Sequence, residues 1–282
     1  MPDSPVKPPF ILPGMNTLLM GPSGTGKTYA IGTAVDYGIE VFYLALESGF
    51  ESLAGYWTDR GLAIPANLHW HKLASPSASF TELISNAKQI NTLNLDALAK
   101  LSDPNKSKHN QFISLLEALN DFPDDRTGQK FGSVQSWDQS RLLVIDGATG
   151  LSQCAMSLVI GGKAVSNQSD WGIAQQQIMR LVGMLTDGCK CHFTLIAHVE
   201  RETDNVLGGI KLMVSTLGKA IAPKFPAMFS DVILATRSAD RWSWDTASAM
   251  ADVKTRNLPI KSDNPPTFKA LFDKWISRNK TP

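Results

Sequence analysis

Met15-Asn-Thr-Leu-Leu-Met20 runs directly into Gly21-Pro22-Ser23-Gly24-Thr25-Gly26-Lys27-Thr28, and Tyr29 to Val35 follows. The first six residues form a short, mostly apolar run of strand length. The next eight match G-x-x-x-x-G-K-[ST], and the last seven can continue a helix from Thr28. The setting carries more weight than the string, which by itself arises by chance in about one chain of this length in a hundred. Between a strand and a helix, the glycines let backbone N–H groups wrap around phosphate oxygens, and the helix N-terminus adds its dipole. Lys27 can then reach the β and γ oxygens of a nucleotide and Thr28 can ligate magnesium. Gly21, Pro22, Ser23, Gly24, Thr25, Gly26, Lys27 and Thr28 are therefore the candidate nucleotide-binding residues.

Outward from this loop, apolar strand-length runs recur. Val41-Phe-Tyr-Leu-Ala-Leu46 is closed by Glu47, Leu142-Leu-Val-Ile145 by Asp146, and His192-Phe-Thr-Leu-Ile-Ala197 by His198. Strands apolar on both faces are the pattern of a parallel sheet covered on both sides. Between the last two lies Asp170 to Gly188, with Ala174, Ile178, Leu181, Val182 and Leu185 on one helical face, Asp170 as predicted N-cap and Gly188 as predicted C-cap. Asp231–Ala235 and Arg241–Thr246 read as further strands, the second alternating and so nearer the sheet edge. The fold class expected is α/β, a mainly parallel central sheet flanked by helices.

In open sheets of this kind ligands bind outside the carboxyl ends of the strands, where Glu47, Asp146 and His198 all fall. Asp146 is the candidate second acid of the magnesium site, acting directly or through water, and Glu47 the candidate base that orients an attacking water. His198 is a candidate sensor that hydrogen-bonds the γ-phosphate and passes that state to the loop after it.

With 282 residues, 43% hydrophobic and 19% charged, the chain can bury a large core, which excludes a disordered or fibrous protein. The formal charge of +1 excludes a molecule basic throughout, but it averages a surplus of +5 from Lys254 to Pro282 against −4 over residues 1–253. Residues 1–14 carry five prolines and read as an extended arm. From about Thr81 to Ser140 helical spacing returns at Leu83, Ile84, Ala87 and Ile90 and again at Phe112, Leu115, Leu116 and Leu119, separated by polar runs. This stretch, about 81–140, is expected to be a helical insertion. Cys154, Cys189 and Cys191 form no spaced framework and fit a reducing compartment, the last two as buried thiols. No stretch is apolar for long enough to span a bilayer and the N-terminus lacks a signal-peptide plan, so a soluble cytoplasmic protein is expected, in the host cytoplasm if phage-encoded.

The ordered set of phosphate loop, Glu47, Asp146 and His198 resembles the RecA-like ATPases, most closely phage-encoded, core-only members of the Sak type. The resemblance covers roughly residues 15–260, the expected ATPase core. It is specific in the loop, in Leu195-Ile-Ala-His-Val-Glu-Arg-Glu-Thr-Asp204, in Leu217-Gly-Lys-Ala-Ile-Ala-Pro-Lys-Phe-Pro226 and in Asp252-Val-Lys-Thr-Arg256. It implies hydrolysis of ATP with Mg2+ and action on DNA, expected to be single-stranded, in phage recombination or replication. The family's phosphate lysine and magnesium hydroxyl fall on Lys27 and Thr28, its catalytic glutamate on Glu47, its strand-end aspartate on Asp146 and its γ-phosphate relay on His198, where RecA has an amide. Lys254-Thr-Arg256 resembles the Lys-x-Arg pair with which ring-forming relatives of the DnaB and KaiC type reach a neighbouring subunit's γ-phosphate. A ring or filament homo-oligomer is implied. The family's DNA-contact loops correspond to Thr149–Ser169 and Val199–Lys224, with Lys163, Arg201, Lys211, Lys219 and Lys224 as candidate phosphate contacts.

A phage single-strand-binding, annealing or replication protein is a further partner in this reading, and no membrane is involved. Residues 261–282 form a basic tail that either contacts DNA or packs its aromatics on the core. Two alternatives remain at this level: a nucleotide-switched helicase loader, packaging or assembly factor, and a KaiC-like phosphotransferase.

Overall fold

The computed structural model describes residues 12–73, 80–100, 109–161, 165–203, 208–218, 220–239 and 241–279. β1 (Asn16–Met20), β2 (Glu40–Ala45), β3 (Leu68–Lys72), β4 (Arg141–Asp146), β5 (His192–Ala197), β8 (Asp231–Arg237) and β9 (Trp242–Asp245) form one sheet in the order β3-β2-β4-β5-β1-β8-β9. Every neighbouring pair is parallel except β8 and β9. The alternating Arg241–Thr246 run thus sits at the sheet edge.

Side-chain alternation divides the core. Leu18, Phe42, Leu44, Leu143, Ile145, Phe193 and Leu195 face one layer, and Leu19, Val41, Tyr43, Val144 and Ile196 face the other. The first layer is closed by α6 (Gln111–Asn120), α7 (Ala148–Ile160) and α8 (Gln168–Gly183). The second is closed by α1 (Lys27–Ala30), α2 (Gly32–Asp36), α3 (Phe50–Thr58) and α10 (Phe268–Asn279). α4 (Phe80–Thr92) and α5 (Leu95–Lys100) lie between β3 and α6 in sequence, and α9 (Phe225–Met228) precedes β8.

Several expectations change. The helical spacing near Phe112, Leu115 and Leu119 belongs to α6, whose apolar face is buried in the main core; beyond it Phe122 and Trp137 are buried too. From residue 111 onward these large apolar side chains help to cover one face of the sheet. Thr149 to Ser169 is not a long loop. Leu151, Cys154 and Ala155 share a buried face, so the chain is helical from Ala148 and stops at Gly161, where φ is +61°.

Val199 to Lys224 is not a plain loop either. β6 (Val199–Thr203) and β7 (Ile210–Val214) pair antiparallel as a two-stranded ribbon outside the main sheet. The N-cap of α8 is Asn167; Asp170 sits one turn in, where its carboxylate accepts the Asn167 N–H at 2.9 Å. At its other end α8 passes into a π-helical turn, Met184–Gly188.

The basic tail is a docked helix over most of its length. Phe268, Leu271 and Phe272 of α10 are buried and its lysines face outward. Residues 1–11 of the proline-rich arm lie outside the described residues. Leu12 and Pro13 meet α10, Leu12 N–H donating to Asn279 Oδ1 and the Trp275 indole to the Pro13 carbonyl. Cys154, Cys189 and Cys191 are buried free thiols, and burial pushes the Cys191 thiol up to about 12. Among the described residues no helix is long and apolar enough to cross a membrane.

Candidate active site

Sheet order decides where the polar strand ends meet. The strands leading to Glu47, Asp146, His198 and the phosphate loop are β2, β4, β5 and β1, four consecutive neighbours all running the same way. Their carboxyl ends therefore open onto one cleft, of about 560 Å³, lined by Lys27, Thr28, Glu47, Asp146 and His198. That volume suits a nucleotide-sized ligand.

Within the loop, Gly26 precedes α1 in the left-handed region at φ +74°. A Cβ there would also lie 2.8 Å from the Trp242 ring, so backbone conformation and close packing both call for glycine. Trp242 comes from β9 and rests on Tyr29, with ring centroids 5.3 Å apart, which fixes the outer wall of the cleft. Lys27 is buried, and its Nζ donates to the carbonyls of Gly21 and Pro22, each at 2.8 Å. Burial lowers its pKa to about 8, against the upward pull of Asp146 and Glu47.

Asp146 is buried at the end of β4, with two hydroxyls converging on its Oδ2. Thr28 Oγ1 donates at 2.8 Å and Tyr43 OH at 2.5 Å. Burial, reinforced by the Asp146 charge, pushes the Tyr43 phenol far above its ordinary range, so it stays protonated and donates. Glu47 is fixed from two sides. Its Oε1 accepts the Gly150 N–H at 2.8 Å in the first turn of α7, and its Oε2 lies 3.5 Å from His198 Nε2. A carboxylate at a helix N-terminus is favoured by the helix dipole, which steadies Glu47 in this place.

Thr28 and Asp146 offer a hydroxyl and a carboxylate, the hard oxygen donors that magnesium takes. Among the described residues no cluster of three or more His, Cys, Asp or Glu side chains could hold a metal by itself. The donor set fits magnesium held by one or two protein oxygens, with water and substrate phosphates completing the shell. There the metal would neutralise charge on the β and γ oxygens.

The remaining sequence candidates are dispersed. Lys254 bridges to Val232 at the amino end of β8, and Arg256 donates its N–H to Asp231 at 2.8 Å, so both sit at the opposite end of the sheet from the cleft. Arg201 is exposed on β6, Lys211 on β7 pairs with Asp252 at 2.8 Å, and Lys224 is exposed just before α9. Lys163 and Lys219 lie outside the described residues. Sequence reading missed Tyr43 and Trp242. Tyr43 sits inside an apolar run, and the one signal was its hydroxyl, which needs a partner once buried.

A family model with the description "AAA domain" matches residues 14–270. The chain belongs to this family, AAA_24. The AAA domain spans the phosphate loop, all three strand-end residues and most of the chain up to the start of α10, and its chemistry is that of a P-loop ATPase on an α/β fold with a mainly parallel sheet. No curated protein sequence matches it. Among solved structures it is similar to the RadB recombinase, at 15% identity over 89% of this chain and 86% of that one, TM-score 0.39. It is also similar to a prototypical ATPase from the type III secretion system of pathogenic bacteria, at 14% identity over 80% of this chain and 53% of that one, TM-score 0.38.

Proposed function

We propose that this AAA domain is a magnesium-dependent ATPase whose nucleotide state is passed through His198 to the β6–β7 ribbon, and that the ribbon acts on single-stranded DNA in phage recombination or replication. One observation carries the relay. The His198 side chain faces Glu47 at 3.5 Å, while its backbone carbonyl accepts the Ser215 N–H at 2.8 Å, where β7 ends. The ribbon is thus tied at both ends to the residue that touches the catalytic carboxylate. In the hydrolytic step Lys27 and the loop N–H groups hold the phosphates. Glu47 orients a water for in-line attack on the γ-phosphorus, and the leaving oxygen departs with ADP.

Lys254 and Arg256 enter this scheme only through a second subunit. With Arg278 they line a cleft of about 310 Å³ at the amino ends of β1 and β8, where a neighbour's phosphate would meet fixed positive charge. The test is the ATPase rate with and without single-stranded DNA, together with DNA binding across a salt series. Stimulation, and binding that weakens steeply with salt, support the DNA reading; no effect on rate and no binding contradict it.

A second reading, a nucleotide-switched loader or assembly factor, has its own support. A cleft of about 430 Å³ between α7, α8 and the ribbon is lined by Met156, Trp171, Met213 and Leu217 together with Glu200 and Glu202. Carboxylates repel a phosphate backbone, and an apolar floor suits a protein segment. Retained stimulation by DNA after Glu200→Lys and Glu202→Lys would count against this second reading.

A further inference from the structure

Tyr43 belongs to the apolar layer beneath α1–α3 and is fully buried there, its ring 6.0 Å from that of Phe50. A phenylalanine would fill the same volume, so packing does not account for the hydroxyl. That hydroxyl donates a short bond to Asp146 Oδ2, in the distance range of charge-assisted O–H···O⁻ contacts. The same oxygen accepts the hydrogen bond of Thr28 Oγ1. Three oxygens from β2, α1 and β4 are thereby locked together, and Gly49 closes over them. A Cβ on Gly49 would lie 3.1 Å from Asp146 Oδ2, 3.3 Å from Tyr43 OH and 3.7 Å from Thr28 Oγ1. Since φ at Gly49 is −141°, a side chain there would be crowded by the oxygen cluster, which would have to give by a few tenths of an ångström, and not by backbone conformation.

We propose that Tyr43 is a positioning residue of the magnesium site: its hydroxyl anchors Asp146 Oδ2, which fixes the rotamer of Asp146 and, through the shared oxygen, the direction of the Thr28 lone pairs. The inference rests on the reading of Thr28 and Asp146 as the magnesium-facing pair. Tyr43 touches neither nucleotide nor metal. It acts by holding the carboxylate in one orientation, and removing partners of this type commonly weakens metal binding about 10–100-fold.

The experiment measures affinity for a non-hydrolysable ATP analogue with Mg2+ and with EDTA, in the full chain and in Tyr43→Phe. The ratio of the two affinities is the readout, and it needs no turnover. For the unsubstituted protein Mg2+ should tighten binding clearly. For Tyr43→Phe the EDTA affinity should be unchanged, while the Mg2+ enhancement should shrink about tenfold or be lost. A purely structural role for the hydroxyl would lower the thermal midpoint and leave the ratio alone. If Tyr43→Phe does not fold, Gly49→Ala tests the same cluster from the other side and should reduce the same ratio. An unchanged ratio in a folded Tyr43→Phe, or in Gly49→Ala where that variant stands in, overturns the proposal. Absence of any Mg2+ enhancement in the unsubstituted protein overturns the magnesium reading beneath it, so the two failures are distinguishable.

Discussion

Lys27 is the residue whose loss should cost most. It is the cation of the phosphate loop, and with Nζ on the Gly21 and Pro22 carbonyls it is already within the loop that would hold a nucleotide. Lys27→Ala should reduce ATP turnover by about a hundredfold or more, measured as phosphate release, because one fixed charge in a desolvated site contributes several kcal/mol to phosphoryl transfer. His192 makes a separate prediction about stability. It is fully buried, its Nδ1 accepts the Met15 N–H at 2.9 Å, and burial lowers its pKa from 6.5 to about 4. Below pH 6.5 the unfolded chain takes up a proton that the folded chain refuses. Stability is therefore lost as the pH falls from 6.5 toward 4. Urea unfolding midpoints at about pH 7.5 and about pH 5 should differ less in His192→Asn, whose amide oxygen can still accept the N–H. At this scale the sequence exposed Lys27, Thr28, Glu47, Asp146 and His198, because a glycine loop and polar ends on apolar strands stand out in a chain read linearly. Tyr43 did not stand out, since its hydroxyl has meaning only once β2 and β4 lie side by side.

Among the elements, α10 carries the clearest expectation. Phe272 is almost fully buried and stacks on Tyr37 with ring centroids 5.3 Å apart. Phe272→Ala should destabilise the fold by about 3–5 kcal/mol in denaturant unfolding while nucleotide affinity in the folded protein stays the same, because α10 covers the sheet away from the cleft. The interior strands were legible for the reason that they are stable: a parallel strand buried on both faces is an unbroken apolar run. β3 escaped because Leu68-His-Trp-His-Lys72 is an edge strand with polar residues on it, His69 set between Glu40 and Asp124. The β6–β7 ribbon escaped because Val-Glu-Arg-Glu-Thr is mostly exposed and charged, and its order comes from cross-strand pairing together with the packing of Val199, Leu212 and Val214 on the core. α7 was hidden behind the small, polar start Ala-Thr-Gly of Ala148–Gly150.

For the whole molecule, the uneven charge acquires a location. Of the basic residues from Lys254 onward, Lys254, Arg256 and Arg278 line a cleft, with Asp187, at the end of the sheet opposite the nucleotide cleft. If subunits stack end to cleft, mixing Arg256→Ala with Lys27→Ala subunits should restore part of the ATPase activity that each lacks alone. Mixtures as inactive as the components, with Arg256→Ala alone fully active, would remove that pair from the mechanism. Hydrolysis of ATP in this cleft should depend on Glu47 as the group that orients the water. The most direct test of this dependence is phosphate release by Glu47→Gln beside the unsubstituted protein, with ATP binding measured on the same samples. Binding within about threefold and phosphate release lowered about a hundredfold or more are expected for a lost catalytic base. Release at the unsubstituted rate would contradict the assignment.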